Sequence, residues 1–195
     1  MSSLVYKAQV FALAAHAAVG QKRKYTGEPY IVHPEEVVSI LRAAGVFMPD
    51  MLAAAWLHDV LEDTQVQVRD LHTVFGPVVR ILVTQLTDVS KPEDGNRRHR
   101  KMLDRHHIAA ACPEAKSIKL ADLISNTRSI VERDPTFARV YLKEKALLLE
   151  VLRDCSHPVL WDQANQLLED SKCKLNNSAQ AAKWETLLQA VRGGK

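Results

Sequence analysis

Apolar residues recur along this chain at helical spacing. Over residues 3–19, Leu4, Val5, Ala8, Phe11, Ala12 and Ala15 fall three and four apart, and the pattern stops at Gly20, which predicts an opening helix. A polar loop, QKRKYTGEPYIVHP, follows, with Gly27, Pro29 and Pro34 as breakers. Pro34 suits the first turn of a second helix, PEEVVSILRAA, which ends at Gly45. The same spacing predicts helices over 51–62 with Asp50 as its cap, over 66–75 up to Gly76-Pro77, and from Pro77 to about 86. The clearest break is TDVSKPEDGN at 87–96. Beyond it come helices at 97–111, from Pro113 through EAKSIKLADLISNTRSIVER, at about 136–154 after Asp134-Pro135, at 159–170, and at about 179–192 past Asn176 to Ser178. The β-branched pairs at 37–38 and 78–79 sit inside helical periodicity. An all-α fold of about nine or ten helices follows, as one domain over 1–195, because no linker is long enough to divide it.

Composition narrows the classes. With 195 residues and 47% hydrophobic, the chain supports one well-filled core. A net charge of +3 permits an anionic substrate but lacks the basic stripe of a nucleic-acid binder. The charges of Arg97, Arg98, His99, Arg100 and Lys101 spread around their helix without aromatic residues between them, which reads as a solvated face or a rim that attracts polyphosphate. No apolar run reaches the roughly 20 residues of a membrane span, and the N-terminus lacks the basic-then-apolar order of a secretion signal. Cys112, Cys155 and Cys173 are scattered, as expected of thiols in a reducing cytoplasm. The expectation is a cytoplasmic protein with no nucleic-acid or membrane partner. Oligomeric state is not legible in the sequence.

The chemistry centres on His58-Asp59 in AAAWLHDVLEDT. Two metal-type ligands adjoin one another in apolar surroundings, where charge is costly unless a cation compensates it. Glu62 and Asp63 lie four residues on from each, on the same predicted helix edge and facing the same cavity. A site built from His and carboxylate groups needs about four ligands from several elements. His33, just ahead of Pro34, and Asp122, in the apolar stretch SIKLADLIS, are the candidates for the other two.

The order His33, His58-Asp59, Asp122 resembles that of the HD phosphohydrolase superfamily. With RKYTGEPYIVHP, LHDVLEDT, FGPVV and IKLADLISNTR included, about residues 6–130 look like the hydrolase domain of RelA/SpoT-type alarmone enzymes. In form the chain is closest to the stand-alone small alarmone hydrolases, including the animal SpoT homologue. The resemblance implies a single HD-domain helical bundle and hydrolysis of the 3′-pyrophosphate of guanosine tetra- or pentaphosphate. It also implies Mn²⁺, or another divalent cation, on the four ligands. Glu62 and Asp63 would then orient or deprotonate water, Arg23 and Lys24 would hold phosphate charge, and Asn126 and Ser129 would border the nucleotide. Two departures leave the base open among guanosine, adenosine and another phosphorylated nucleotide such as NADPH or a nucleoside monophosphate. Asp88 stands where alarmone enzymes commonly carry a basic residue, and LADLISNTR lacks the Arg and His that often follow the ligand. A non-catalytic nucleotide sensor on the same scaffold is the reading from another class. The water-activating pair argues against it.

Overall fold

The structure, a computed structural model, describes the backbone of residues 3–192 and side chains up to Asn177. Among the described residues it is all-α: α1 (Ser3–Ala18), α2 (Val32–Ala43), α3 (Pro49–Leu57), α4 (Val60–Asp63), α5 (Val68–Leu86), α6 (Arg97–Ala109), α7 (Pro113–Arg133), α8 (Pro135–Val151) and α9 (Pro158–Arg192), with a 3-10 turn at Pro92–Asp94. One isolated antiparallel bridge, Lys22 to Pro29, pins the loop between α1 and α2.

Two helices carry the core. Every residue of α3 from Met51 to Leu57 is buried, so α3 is an inner helix, packed by α1, α2 and α5. On α7, Ile118, Leu120, Ala121, Leu123 and Ile124 are buried against α2, α5, α8 and α9. Each such Leu or Ile contributes roughly 1.5–3 kcal/mol by burial. These two helices also bring His58 and Asp122 to the centre of the bundle.

Three predicted boundaries differ. The helix expected over 51–62 breaks at His58-Asp59 into α3 and α4, and α3 begins at Pro49 behind Met48, with Asp50 inside its first turn. Proline at the first helical position has its φ preset and no N–H to lose, so it starts the helix one residue before the expected cap. The helices expected on either side of Gly76-Pro77 abut as α5, kinked where Gly76 takes φ 83° and ψ 178°. No break occurs at Asn176 to Ser178. Leu160, Ala164, Leu168, Ser171 and Leu175 form one buried stripe at helical spacing, which outweighs the modest helix penalty of asparagine. Asp134 caps α8 as expected, accepting from the Phe137 N–H at 3.1 Å.

Candidate metal centre

Four side chains from three places in the chain converge. His33 projects from the first turn of α2, and Asp122 from the middle of α7. His58 and Asp59 come from the α3–α4 break, where Asp59 flattens to φ −101°, ψ −3°. That break lets two adjacent residues point at one spot, which an unbroken helix would hold about 100° apart. His58 Nε2 lies 2.9 Å from Asp59 Oδ2 and 3.3 Å from His33 Nε2. His33 Nε2 lies 3.2 Å from Asp122 Oδ1 and 3.7 Å from Asp59 Oδ2. His33, His58 and Asp122 are buried.

Hydrogen bonds fix the protons on both rings. His58 Nδ1 faces the Ala55 carbonyl at 2.8 Å, and a carbonyl only accepts, so Nδ1 carries the hydrogen. His33 Nδ1 faces Ser125 Oγ at 3.0 Å. Ser125 donates its single hydrogen to Glu36 Oε2 at 2.7 Å, so it must accept from His33. In the neutral rings, therefore, two Nε2 lone pairs confront each other beside two carboxylates. Such a cluster requires positive charge at its centre. The donors suit a first-row divalent cation, whose adjacent ligands stand roughly 3 Å apart, and the outward-pinned Nδ1 groups are the arrangement that supports metal-binding histidines. The same demand acts on protons: burial opposes charge on His58, but Asp59 and Asp122 outweigh it and raise the imidazole to about 9. Burial likewise resists ionisation of Asp59, yet His58 and His33 hold it below the usual carboxylate range.

Neighbouring groups surround this cluster. The Tyr30 hydroxyl donates to Asp59 Oδ2 at 2.6 Å. Lys119 Nζ pairs with Asp122 Oδ2 at 3.1 Å, and Asn126 Nδ2 donates to Asp122 Oδ1 at 2.6 Å. Glu62 and Asp63, on the single turn of α4, take different hydrogen-bond partners. Glu62 Oε1 accepts from the Asp88 N–H at 2.9 Å, whereas Asp63 Oδ2 accepts from Gln21 Nε2 at 2.8 Å. Glu62 keeps solvent contact, yet the protein packed around it, then the Asp88 carboxylate, pushes it up to about 7. Partial burial also raises Asp63.

Lys119, Asp122 and Asn126 open onto a cavity of about 1290 Å³ between the end of α5, α6, α7 and α8. Arg97, Arg98 and Lys101 of α6 line it, so the charged helix forms its rim. Tyr141 and Lys145 of α8 line it too, and burial lowers Lys145 to about 7. A smaller recess of about 210 Å³ gathers Arg23, Lys24, Asn126 and Ser129 beside Phe137. Asn126 and Phe137 border both spaces. Lys24 Nζ lies 5.6 Å from the Phe137 ring centre and 3.8 Å from Asp134.

The HD-domain family matches residues 8–149. The chain belongs to the HD-domain family. Among relatives, the mouse guanosine-3′,5′-bis(diphosphate) 3′-pyrophosphohydrolase MESH1 is 38% identical over 125 residues, 63% of this chain and 68% of the mouse protein. A Streptomyces coelicolor GTP pyrophosphokinase is 40% identical over 112 residues, and this HD domain spans 13% of that much longer enzyme. A solved structure of a metazoan orthologue of SpoT, described as hydrolysing ppGpp with a role in starvation responses, superposes with a TM-score of 0.76 at 29% identity. It covers 87% of this chain and 96% of that one. No helix among the described residues is long and apolar enough to cross a membrane.

Within this HD domain the structure gathers His33, His58, Asp59 and Asp122 in one cluster, and Arg23, Lys24, Asn126 and Ser129 in the adjoining recess. Sequence reasoning passed over Ser125, Glu36, Tyr30 and Lys119. Lys119 carried a readable signal, a lysine one helical turn before Asp122 in an apolar stretch. The others became visible only through contacts between distant segments.

Proposed function

We propose that this chain, acting as one HD domain over 1–195, is a cytoplasmic, Mn²⁺-dependent 3′-pyrophosphohydrolase of guanosine tetra- and pentaphosphate. The observation that carries the reading is the buried pair of histidine Nε2 atoms beside two carboxylates, next to a cavity with a basic rim. Similarity to proteins named for this activity supports the choice of nucleotide. His33, His58, Asp59 and Asp122 would hold the cation. When bound, it would supply Lewis-acid activation of water and of the phosphoryl group.

The remaining work falls to side chains. Glu62, with a pKa near neutrality, accepts the proton of the attacking water, and Asp63 orients that water. Water adds at the phosphorus joined to ribose O3′, the P–O3′ bond breaks, and O3′ takes up a proton from solvent. Pyrophosphate leaves, and the nucleotide keeps its 5′-phosphates. Arg23 and Lys24 hold phosphate charge from the recess, while Asn126 and Ser129 border the ribose. Lys119 balances the charge of Asp122 so that the carboxylate keeps its orientation.

Purified protein and a His58→Ala variant, incubated with Mn²⁺ and a nucleotide panel while pyrophosphate and orthophosphate are followed separately, test this. Pyrophosphate from guanosine tetraphosphate with the wild type alone is expected. Orthophosphate from NADPH alone would move the assignment to another phosphorylated nucleotide, and no turnover of any nucleotide would overturn it.

A further inference from the structure

One buried histidine outside the proposed ligand set reaches two carboxylates of the site. His16 lies on the inner face of α1 and is 2% exposed. Its Nδ1 is 2.6 Å from Gln21 Oε1, and Gln21 Nε2 donates to Asp63 Oδ2 at 2.8 Å. The proton order is forced. A carboxylate only accepts, so the Gln21 amide nitrogen faces Asp63, its oxygen faces His16, and His16 Nδ1 carries the hydrogen. On its other side the His16 ring packs on Tyr30, with centroids 4.7 Å apart, and Tyr30 donates to Asp59. His16 Nε2 is buried with no hydrogen-bond partner among the described residues. A buried unpaired nitrogen is a cost that an apolar side chain would avoid, so packing alone does not account for a histidine here.

We propose that Gln21, held by His16, is a positioning residue for Asp63. This rests on the reading of Asp63 as a water-orienting group. Asp63 is exposed at the end of a one-turn helix, where its side chain would otherwise sample several rotamers. The Gln21 N–H selects one of them, and His16 stops the amide from turning over. Gln21 sits in the loop between α1 and α2 and its own N–H donates to His16 O at 3.1 Å, so this short stretch links the first helix to the site. Alignment of a reacting group by such contacts is worth orders of magnitude in rate when lost.

Gln21→Leu removes the donor without disturbing a helix. The expected result is a fall in kcat of about tenfold to a hundredfold, with KM and Mn²⁺ affinity within about threefold of wild type. Gln21→Lys, which returns a donor, should recover part of that loss. In an Asp63→Asn background, Gln21→Leu should reduce kcat no further, because the two residues act as one unit. Additive losses would overturn the proposal. A lowered melting temperature is expected in either case, because Gln21→Leu leaves the buried His16 Nδ1–H without its acceptor at a cost of about 1–3 kcal/mol. A carboxyl ¹³C NMR titration of metal-free protein gives an answer that needs no turnover. With Asp59, His16 and His58 still facing Asp63, Gln21→Leu should raise its midpoint, and an unmoved midpoint refutes the contact's role. Failure of the hydrolase reading would appear instead as absent turnover by the wild type.

Discussion

Ser125→Ala isolates the proton order of the metal centre. Ser125 is 1% exposed on α7, and its hydroxyl does two jobs, accepting from His33 Nδ1 at 3.0 Å and donating to Glu36 Oε2 at 2.7 Å. Alanine keeps the helix and removes one oxygen. His33 Nδ1–H is then a buried donor without a partner, which costs about 1–3 kcal/mol. The ring can escape that cost by moving its hydrogen to Nε2, where it occupies the lone pair that would bind the cation. Either way binding loses free energy of the same order. Loss of such a supporting partner typically lowers metal affinity about 10–100-fold, or about 1.4–2.8 kcal/mol, so the two magnitudes agree. The assay is calorimetric titration of Mn²⁺ into wild type and variant. Ser117→Ala is the control: Ser117 is also buried on α7 but bonds to Pro113 O and Ser156, so its loss should leave Mn²⁺ affinity unchanged. A Ser125→Ala protein that melts cooperatively and binds Mn²⁺ within threefold of wild type would refute the argument.

Lys145 should make stability depend on pH. Burial lowers it from 10.5 to about 7, so between those values the unfolded chain binds more protons and stability rises with pH, by at most about 1.4 kcal/mol per unit. Below 7 both states are protonated and the slope vanishes. Urea unfolding at pH 7, 8 and 9 should show wild type gaining on Lys145→Met as pH rises, and a constant difference would contradict the assignment. Gly76→Ala should cost about 1–3 kcal/mol from backbone strain alone, since φ is 83° and nothing lies within 4 Å of an added Cβ. Calorimetry should then show a melting point lower by about 2–12 °C; an unchanged one would mean the kink relaxes freely.

Much of this protein was legible one segment at a time. Helical spacing marked the elements because burial on one face repeats every three or four residues, and α7 and α8 start where proline and Asp134 predicted. The types and order of His33, His58-Asp59 and Asp122 were enough to expect a metal centre, since few other uses suit such groups in apolar stretches. Local reading failed where two influences competed. Asn176 suggested a stop, but the buried stripe from Leu160 to Leu175 carried α9 through it. Glu62 and Asp63 shared an edge at the C-terminal end of the helix expected over 51–62. The break at His58-Asp59 turned one toward Asp88 and the other toward Gln21.

Residue chemistry and periodicity thus reside in the sequence itself, because each depends on side-chain type and near neighbours. Orientation does not. His33 and Ser125 are 92 positions apart, and Gln21 and Asp63 are 42 apart. Which nitrogen carries a hydrogen, which carboxylate ionises and which glutamine restrains an aspartate are set by contacts that exist only once α1, α2, α3 and α7 have packed. A hydrogen bond acts over about 3 Å, and only the tertiary fold brings such distant residues within that reach.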